Sequence, residues 1–185
     1  DGTAVTAQSY IYTWTRALLP EVASPDAATL EDPIVGTDAV SNGKARSIAG
    51  LKALDTYTLQ VTLKQPTPYF LASLTNSLFF PLNQKVIGRY GQKNWTQYAT
   101  TAGIGTGPFE VKTWEHDVQM VLTPNPHYYG KKTSLAEVNM IFVNDPATAY
   151  QFYRAGRFTF VWNIAPDDLL AANGSKGFTQ MPLLQ

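Results

Sequence analysis

The chain has 185 residues, of which 44% are hydrophobic and 15% are charged, enough apolar material for one large or two small globular domains. Its 14 Lys and Arg residues balance 14 Asp and Glu residues, so the chain has no net charge that would attract it to nucleic acid or to an anionic membrane. The absence of cysteine excludes disulfides, thiolate metal sites and cysteine nucleophiles, and no apolar run reaches the roughly 20 residues of a membrane-spanning helix.

The first half of the chain mixes helical and strand patterns. Capping residues, hydrophobic periodicity and turn signals predict, in chain order, a helix at 6–19, an irregular stretch at 20–47, a hairpin at 51–63, and short helices at 69–74 and 83–90. The hairpin prediction rests on the alternation of Tyr57, Leu59, Val61 and Leu63 beyond an Asp55-Thr56 turn.

The second half begins after a polar passage rich in Gly and Thr. The patterns there predict, in chain order, a hairpin at 109–123, a strand at 138–142, a helix at 145–156, a strand at 158–162, a helix at 166–174 and a last strand at 178–184. The fold class is therefore mixed α/β. A boundary near residue 83 divides the chain into domains at 1–83 and 84–185.

One segment combines residue types suited to ligand binding. Trp162, Asn163 and Ile164 stand between a predicted strand and the helix opened by Pro166. Crevices beyond strand ends are common ligand positions, and Trp beside Asn offers an apolar wall with paired donor and acceptor groups. This segment is therefore predicted either to bind a ligand at the end of the strand or simply to pack in the core.

Signals for catalysis and metal binding are weak. His116 and His127 stand in predicted turns without a ligand motif, and no nucleophile-elbow pattern occurs. The glycines at 103–107 precede a strand, whereas a phosphate loop must lead into a helix, and the neighbouring Asp167 and Asp168 point to different sides of a helix. We expect no enzyme, no cofactor and no metal site.

A series of short motifs carries a resemblance to a known family. The series runs in order over nearly the whole chain: the segment 1–7, Tyr12-Thr13-Trp14 with Arg16, Ala23-Ser24-Pro25, the segments 52–55, 58–63, 66–70, 105–109 and 122–129, and Tyr153-Arg154-Ala155-Gly156. These motifs resemble those of the oligopeptide- and dipeptide-binding proteins of ABC importers, within the peptide- and nickel-binding family.

The resemblance implies the architecture. In this family the fold is a two-lobed clamp of the periplasmic-binding-protein type with an extra small domain. The chain resembles an internal fragment that holds the small domain and part of the first lobe. The missing second lobe of the same polypeptide would carry an acidic anchor for the peptide's amino terminus.

The resemblance also implies site residues. Trp162 and Asn163 match the aromatic-amide pair that lines the peptide cleft, with Asn163 and nearby backbone bonding the ligand main chain. Asn76 matches a cleft-facing polar position, and Asp26 stands where peptide binders often carry an aromatic. The acidic side chain at Asp26 is the departure that bears most on which ligand is accepted.

The predicted function is capture of short peptides by an extracytoplasmic solute-binding subunit that closes its lobes and docks to a membrane ABC permease. The location is the periplasm or the extracellular face of the membrane, with a lipid anchor in the full-length protein as one option. Two alternatives stay open: the same fold with an oligosaccharide or metal chelate as cargo, and a hydrolase. No nucleic-acid partner is expected.

Overall fold

The chain divides into two compact units. The computed structural model describes residues 2–92, 94–98, 105–175 and 177–178. The first unit is Asp1–Gly107 and the second is Pro108–Gln185. This division lies later in the chain than the boundary predicted near residue 83, because the helix that follows Asn83 buries Val86 and Ile87 in the first unit. Assigning the units to a small domain and part of a lobe stays a prediction.

The described part of the first unit holds five helices and a two-stranded hairpin. Their bounds are α1 Ala7–Ala17, α2 Ala27–Glu31, α3 Thr37–Ser41, β1 Leu51–Ala53, β2 Leu59–Val61, α4 Phe70–Ser73 and α5 Gln84–Tyr90, with 3-10 turns at Ser77–Phe79 and Trp95–Tyr98. The local signals are visible at the helix ends. The Asn83 carboxamide oxygen accepts from the backbone N–H of Lys85 and Val86, and Gly91 ends α5 with a left-handed φ of 83°.

An aromatic cluster lies at the centre of the first unit. Trp14 on α1 is 3% exposed, donates its indole N–H to the Phe79 carbonyl at 3.0 Å and meets the Phe79 ring edge-on at 5.2 Å. Phe70 packs edge-on against Phe79 from α4, and Leu30 and Ile34 are fully buried beside this cluster. The core therefore connects the N-terminal helix to residues more than sixty positions later.

The hairpin of β1 and β2 packs one side on this core. Leu51 pairs with Val61 and Ala53 with Leu59 in antiparallel register. Gly50 precedes β1 at a point where an added Cβ would lie 2.6 Å from the Val35 carbonyl oxygen, so only glycine fits. The hairpin prediction is confirmed, although Tyr57 is 74% exposed in the turn instead of facing the core.

Over its described residues, the second unit consists of a three-stranded antiparallel sheet and two helices. The bounds are β3 Phe109–Glu115, β4 Gln119–Pro124, β5 Val138–Ile141, α6 Pro146–Arg154 and α7 Leu169–Ala172, with a 3-10 turn at Pro166–Asp168. The strand order is β3-β4-β5, with a bulge in β3 between Val111 and Thr113. Asp145 caps α6 by accepting from the Thr148 N–H at 2.9 Å, as the Asp-Pro pair predicts.

Two predictions for the connecting segments are wrong. Residues 20–47 hold two five-residue helices, α2 and α3, within a stretch predicted to be irregular. Residues 158–162, predicted as a strand, form no strand in the structure. The last predicted strand, 178–184, lies almost entirely outside the described residues. Gly103 and part of the polar passage before it also lie outside them.

Candidate functional site

The segment between α6 and the Pro166 turn presents two aromatic side chains to solvent. Trp162 is 83% exposed and Phe160 is 67% exposed. The planes of the two rings make an angle of 62° in an edge-to-face arrangement, and the ring centroids lie 6.0 Å apart. The pair forms an open apolar surface that no described residue covers.

The backbone around these aromatics is anchored at both ends and open between them. Gly156 ends α6 with a φ of 71°, and the N–H groups of Arg157 and Phe158 both donate to the Phe152 carbonyl. At the other end, Asp168 N–H donates to the Ala165 carbonyl at 2.9 Å. In the described part of the chain, the N–H and C=O groups of residues 159–164 have no hydrogen-bond partner.

This open backbone explains why the strand predicted at 158–162 is wrong. The alternation of Phe158, Phe160 and Trp162 is typical of a strand, but a strand needs a neighbour to pair its backbone groups. None of the described strands lies beside this segment. Trp162, predicted to lie at the end of a strand, thus lies in a segment whose backbone pairs with no described strand.

Asn163 and Ile164 continue the same segment. Asn163 is exposed and Ile164 is half-buried. An exposed carboxamide offers one acceptor oxygen and two N–H donors, a set that matches the C=O and N–H groups of a peptide main chain. Trp162, Asn163 and Ile164 therefore lie together on one accessible stretch, as their adjacency in sequence requires.

Asn76 lies in the first unit and has a local structural role. Its side-chain oxygen accepts from the Leu78 N–H at 2.9 Å and caps the 3-10 turn Ser77–Phe79. The residue is exposed, so its carboxamide NH₂ group faces solvent. The cap fixes the orientation of this side chain without using its donors.

Asp26 also lies in the first unit, at the start of α2. Its carboxylate is exposed and makes no capping hydrogen bond to the helix. The structure brings the segments of Asp26 and Asn76 to one cavity of about 130 Å³, because Ser24 and Ser77 both line it. Asp26 and Asn76 are not among the residues that line this cavity; they stand two residues and one residue away from the lining Ser24 and Ser77.

Arg16 and Phe80 line the same cavity and were not predicted as site residues. Arg16 donates its Nε–H to the Gln92 side-chain oxygen at 2.6 Å, and its guanidinium lies 5.9 Å from the Trp95 ring centroid. Phe80 is 54% exposed. Arg16 carried a signal in the sequence as part of the motif with Trp14, whereas Phe80 carried none beyond its hydrophobicity.

The titratable groups serve local structure. Hydrogen bonds from the Tyr57 N–H, and then from Thr58, lower the pKa of Asp55 in the hairpin turn. The Thr148 hydroxyl and N–H lower the pKa of Asp145, and a hydrogen bond from Lys112 lowers that of Glu137. All three carboxylates are exposed: Asp55 and Asp145 accept from nearby backbone N–H groups, and Glu137 accepts from the Lys112 and Asn139 side chains.

Both histidines belong to the second unit and make local contacts. The His116 and Trp114 ring centroids lie 4.4 Å apart, and the backbone N–H of His127 donates to the Asn125 side-chain oxygen in a turn. Among the described residues, no three His, Cys, Asp or Glu side chains are grouped to hold a metal ion. Over the same residues, no helix is long and apolar enough to cross a bilayer.

Comparison with known proteins gives matches over most of the chain. The chain is 33% identical over 172 residues to the periplasmic oligopeptide-binding protein OppA of Salmonella typhimurium, covering 91% of this chain and 31% of that protein. It is 33% identical over 165 residues to YgiS of Escherichia coli, a probable deoxycholate-binding periplasmic protein, covering 88% of this chain and 30% of that protein. The chain thus spans about a third of these relatives' length.

A solved structure confirms the fold class. The crystal structure of a periplasmic oligopeptide-binding protein of Borrelia burgdorferi, OppAIV, matches with a TM-score of 0.79 and 31% identity, covering 94% of this chain and 35% of that one. The predicted class, a mixed α/β part of a two-lobed periplasmic-binding-protein-like clamp, is confirmed. The family model for bacterial extracellular solute-binding proteins, family 5 Middle, matches residues 1–182. The chain belongs to the family 5 bacterial extracellular solute-binding proteins.

Proposed function

We propose that the full-length protein captures short peptides, with the segment 159–164 forming part of the peptide-binding surface. The observation that carries this proposal is the open backbone of that segment beside the exposed Trp162. Unpaired N–H and C=O groups can pair with an extended peptide of any sequence, as an added strand does. The exposed ring then covers a ligand side chain.

The side chain of Asn163 contributes to the same recognition. Its carboxamide can donate to a ligand carbonyl and accept from a ligand N–H at once. Because such bonds address the ligand main chain, they give affinity without selecting a side chain. Specificity would come from the walls of the pockets beside them.

Asp26 and Asn76 form a second proposed region of ligand contact, in the segments whose Ser24 and Ser77 line the cavity of the first unit. The solvent-facing NH₂ group of Asn76 and the uncommitted carboxylate of Asp26 are both accessible. A carboxylate there favours cationic groups on the ligand, such as a lysine side chain. Changes at Asp26 should therefore alter ligand preference more than overall affinity.

Membership of this family supports the remaining steps of the proposal. Closure of two lobes on the peptide presents a closed form to an ABC permease, which carries the cargo across the membrane. The protein acts in the periplasm or on the outer face of the cytoplasmic membrane and performs no chemistry on its cargo. The peptide-type relatives support this location and these partners.

The deoxycholate-binding relative defines the rival cargo class. An apolar sterol-like ligand would use the same exposed aromatic rings but would leave the backbone of residues 159–164 unpaired. Oligosaccharide or metal-chelate cargo would likewise need no main-chain pairing. The unpaired backbone favours a peptide over all three.

Isothermal calorimetry on the full-length protein tests the assignment. The titrants are mixed di- to pentapeptides, deoxycholate, an oligosaccharide mixture and a nickel chelate, each after removal of bound ligand by partial unfolding and refolding. The proposal predicts saturable binding of peptides alone. Binding of another class without peptide binding would reject it.

A further inference from the structure

Two Asn-Gly pairs occur in the chain, at Asn42-Gly43 and at Asn173-Gly174. The backbone nitrogen of the residue that follows an asparagine can attack the carbonyl carbon of the asparagine side chain. Glycine permits this approach best, because it has no side chain and its backbone reaches conformations that other residues rarely adopt. Both pairs therefore carry the same reactive sequence, and their surroundings decide whether either one reacts.

Hydrogen bonds hold the pair Asn42-Gly43 in an unreactive arrangement at the end of α3. The Gly43 N–H donates to the Val40 carbonyl at 2.9 Å, so the nitrogen that would attack is already engaged. The NH₂ group of the Asn42 side chain donates to the Asp38 carbonyl at 2.7 Å, which holds the carboxamide against the helix. Because Val40 is completely buried, this turn is tied to the core of the first unit.

The pair Asn173-Gly174 has the opposite environment, at the end of α7. Both residues are exposed, and in the part of the chain that the structure describes the Asn173 carboxamide and the Gly174 N–H have no hydrogen-bond partner. The Asn173 N–H donates to the Leu169 carbonyl at 2.9 Å, and Ser175 bonds to the Ala172 carbonyl. Since α7 has only four residues, opening its last turn costs little free energy.

We infer that Asn173 is a site of spontaneous deamidation, with water as the co-reactant, and that Asn42 is protected from the same reaction. The Gly174 nitrogen forms a bond to the Asn173 Cγ, the Cγ–Nδ2 bond breaks, and Nδ2 leaves as ammonia with the Gly174 amide proton. Water then opens the resulting succinimide ring at either of its carbonyls and gives aspartate or isoaspartate. The reaction needs no oxidant, reductant or cofactor.

The product changes the end of α7 in two ways. Either product adds a negative charge beside the free carbonyl groups of the helix end, where a negative charge is disfavoured. Isoaspartate also carries the backbone through the former side chain, which lengthens the chain path between Asn173 and Gly174 by one methylene group. The inference depends neither on the cargo nor on the proposed peptide site.

Ageing of the full-length protein in mildly alkaline buffer, followed by peptide mass mapping, tests the inference without any substitution. Asn42 is the matched internal control, because it is also exposed and also precedes a glycine. We expect Asn173 to deamidate at least about ten-fold faster than Asn42 in the native protein, and the two rates to agree within about three-fold in urea, where the protecting hydrogen bonds are lost. A smaller native ratio, or a ratio that persists in urea, would overturn the inference.

The identity of the products tests the chemical route. Attack by the Gly174 nitrogen gives isoaspartate as well as aspartate at position 173, and electron-transfer fragmentation of the mapped peptide distinguishes the two. Aspartate without isoaspartate would show that water hydrolyses the carboxamide directly, and this result would overturn the proposed step.

The Gly174→Ala variant tests the same step by substitution. A Cβ added at position 174 would have no described atom within 4 Å apart from its neighbours in the chain, and the φ of Gly174 is not positive, so alanine fits there. We expect the variant to keep the parent's circular dichroism spectrum and urea midpoint, and to deamidate Asn173 at least about ten-fold more slowly, because the methyl group hinders the approach of the nitrogen. An unchanged rate of deamidation in the folded variant would overturn the inference.

Discussion

Replacing Trp162 with alanine is the most direct perturbation of the proposed peptide surface. The indole is 83% exposed in the structure, so its removal costs the described part of the protein little packing. We expect the Trp162→Ala variant of the full-length protein to fold normally and to bind peptide more weakly.

The structure sets the size of the effect. A buried tryptophan removes about 150–250 Å² from water. With 83% of that area available and about 25 cal/mol per Å², ligand burial of the ring is worth at most about 3–5 kcal/mol. Part is offset by ordering of the ligand, so we expect a loss of about 2 kcal/mol, or about 30-fold in Kd.

Calorimetry with one defined tripeptide measures this loss, and Tyr129→Ala is the matched control. Tyr129 is another aromatic of the second unit and is 88% exposed, but it lies outside the segment 159–164. The control should bind within about two-fold of the parent protein. The Trp162→Phe variant should fall between the two, since a smaller ring still covers part of the ligand.

Two results would refute the reasoning. If Trp162→Ala binds the tripeptide as tightly as Tyr129→Ala, the exposed ring does not contact the ligand. If Trp162→Ala instead lowers the free energy of unfolding by several kcal/mol, the ring is part of a core completed elsewhere in the protein.

Three further predictions concern stability, each measured by urea unfolding followed by circular dichroism. Trp14→Phe should lower the unfolding free energy by about 3 kcal/mol, because it leaves the buried Phe79 carbonyl unpaired and removes buried ring atoms. A loss under about 0.5 kcal/mol would contradict the assignment of Trp14 to the core. Asn83→Ala should cost about 1 kcal/mol through loss of the α5 cap, and an unchanged midpoint would show that the cap is dispensable. The pKa of Asp145 is lowered in the folded state, so its contribution is present above the unfolded pKa of about 3.9 and lost as pH falls through the lower folded value. Asp145→Asn keeps a capping oxygen without a titrating proton and should lose less stability than the parent between about pH 5 and pH 2; equal losses would reject the linkage.

Local signals predicted most of the helices and both hairpins. The Asp145-Pro146 start and the Gly156 end of α6 are read from three residues, because caps act through bonds within one turn. Alternating residues at 109–123 likewise fixed a hairpin whose strands are neighbours in sequence. Such features need no knowledge of the rest of the fold.

The wrong predictions have two physical causes. Helix α3 is held by the Thr37 hydroxyl, which is shared between the Glu31 and Ile34 carbonyls, and it is too short for a periodic pattern. The alternation at 158–162 lacks a described partner strand, and sequence alternation alone does not supply one.

The candidate site was only partly predictable. Trp162 and Asn163 drew attention as an aromatic beside an amide, and their exposure agrees with a binding role that stays a prediction. Asn76 and Asp26 came from family resemblance alone. The segments of both residues reach one cavity through Ser24 and Ser77, and this depends on the packing of α1 against the Ser77–Phe79 turn, which no local pattern encodes.

A crystal structure of the full-length protein with a bound tripeptide tests the central claim most directly. The account predicts ligand main-chain atoms within hydrogen-bond distance, about 2.7–3.2 Å, of the Asn163 carboxamide or the backbone of residues 159–164, with Trp162 against a ligand side chain. A peptide bound elsewhere, with that backbone paired to another strand of the protein itself, would contradict it.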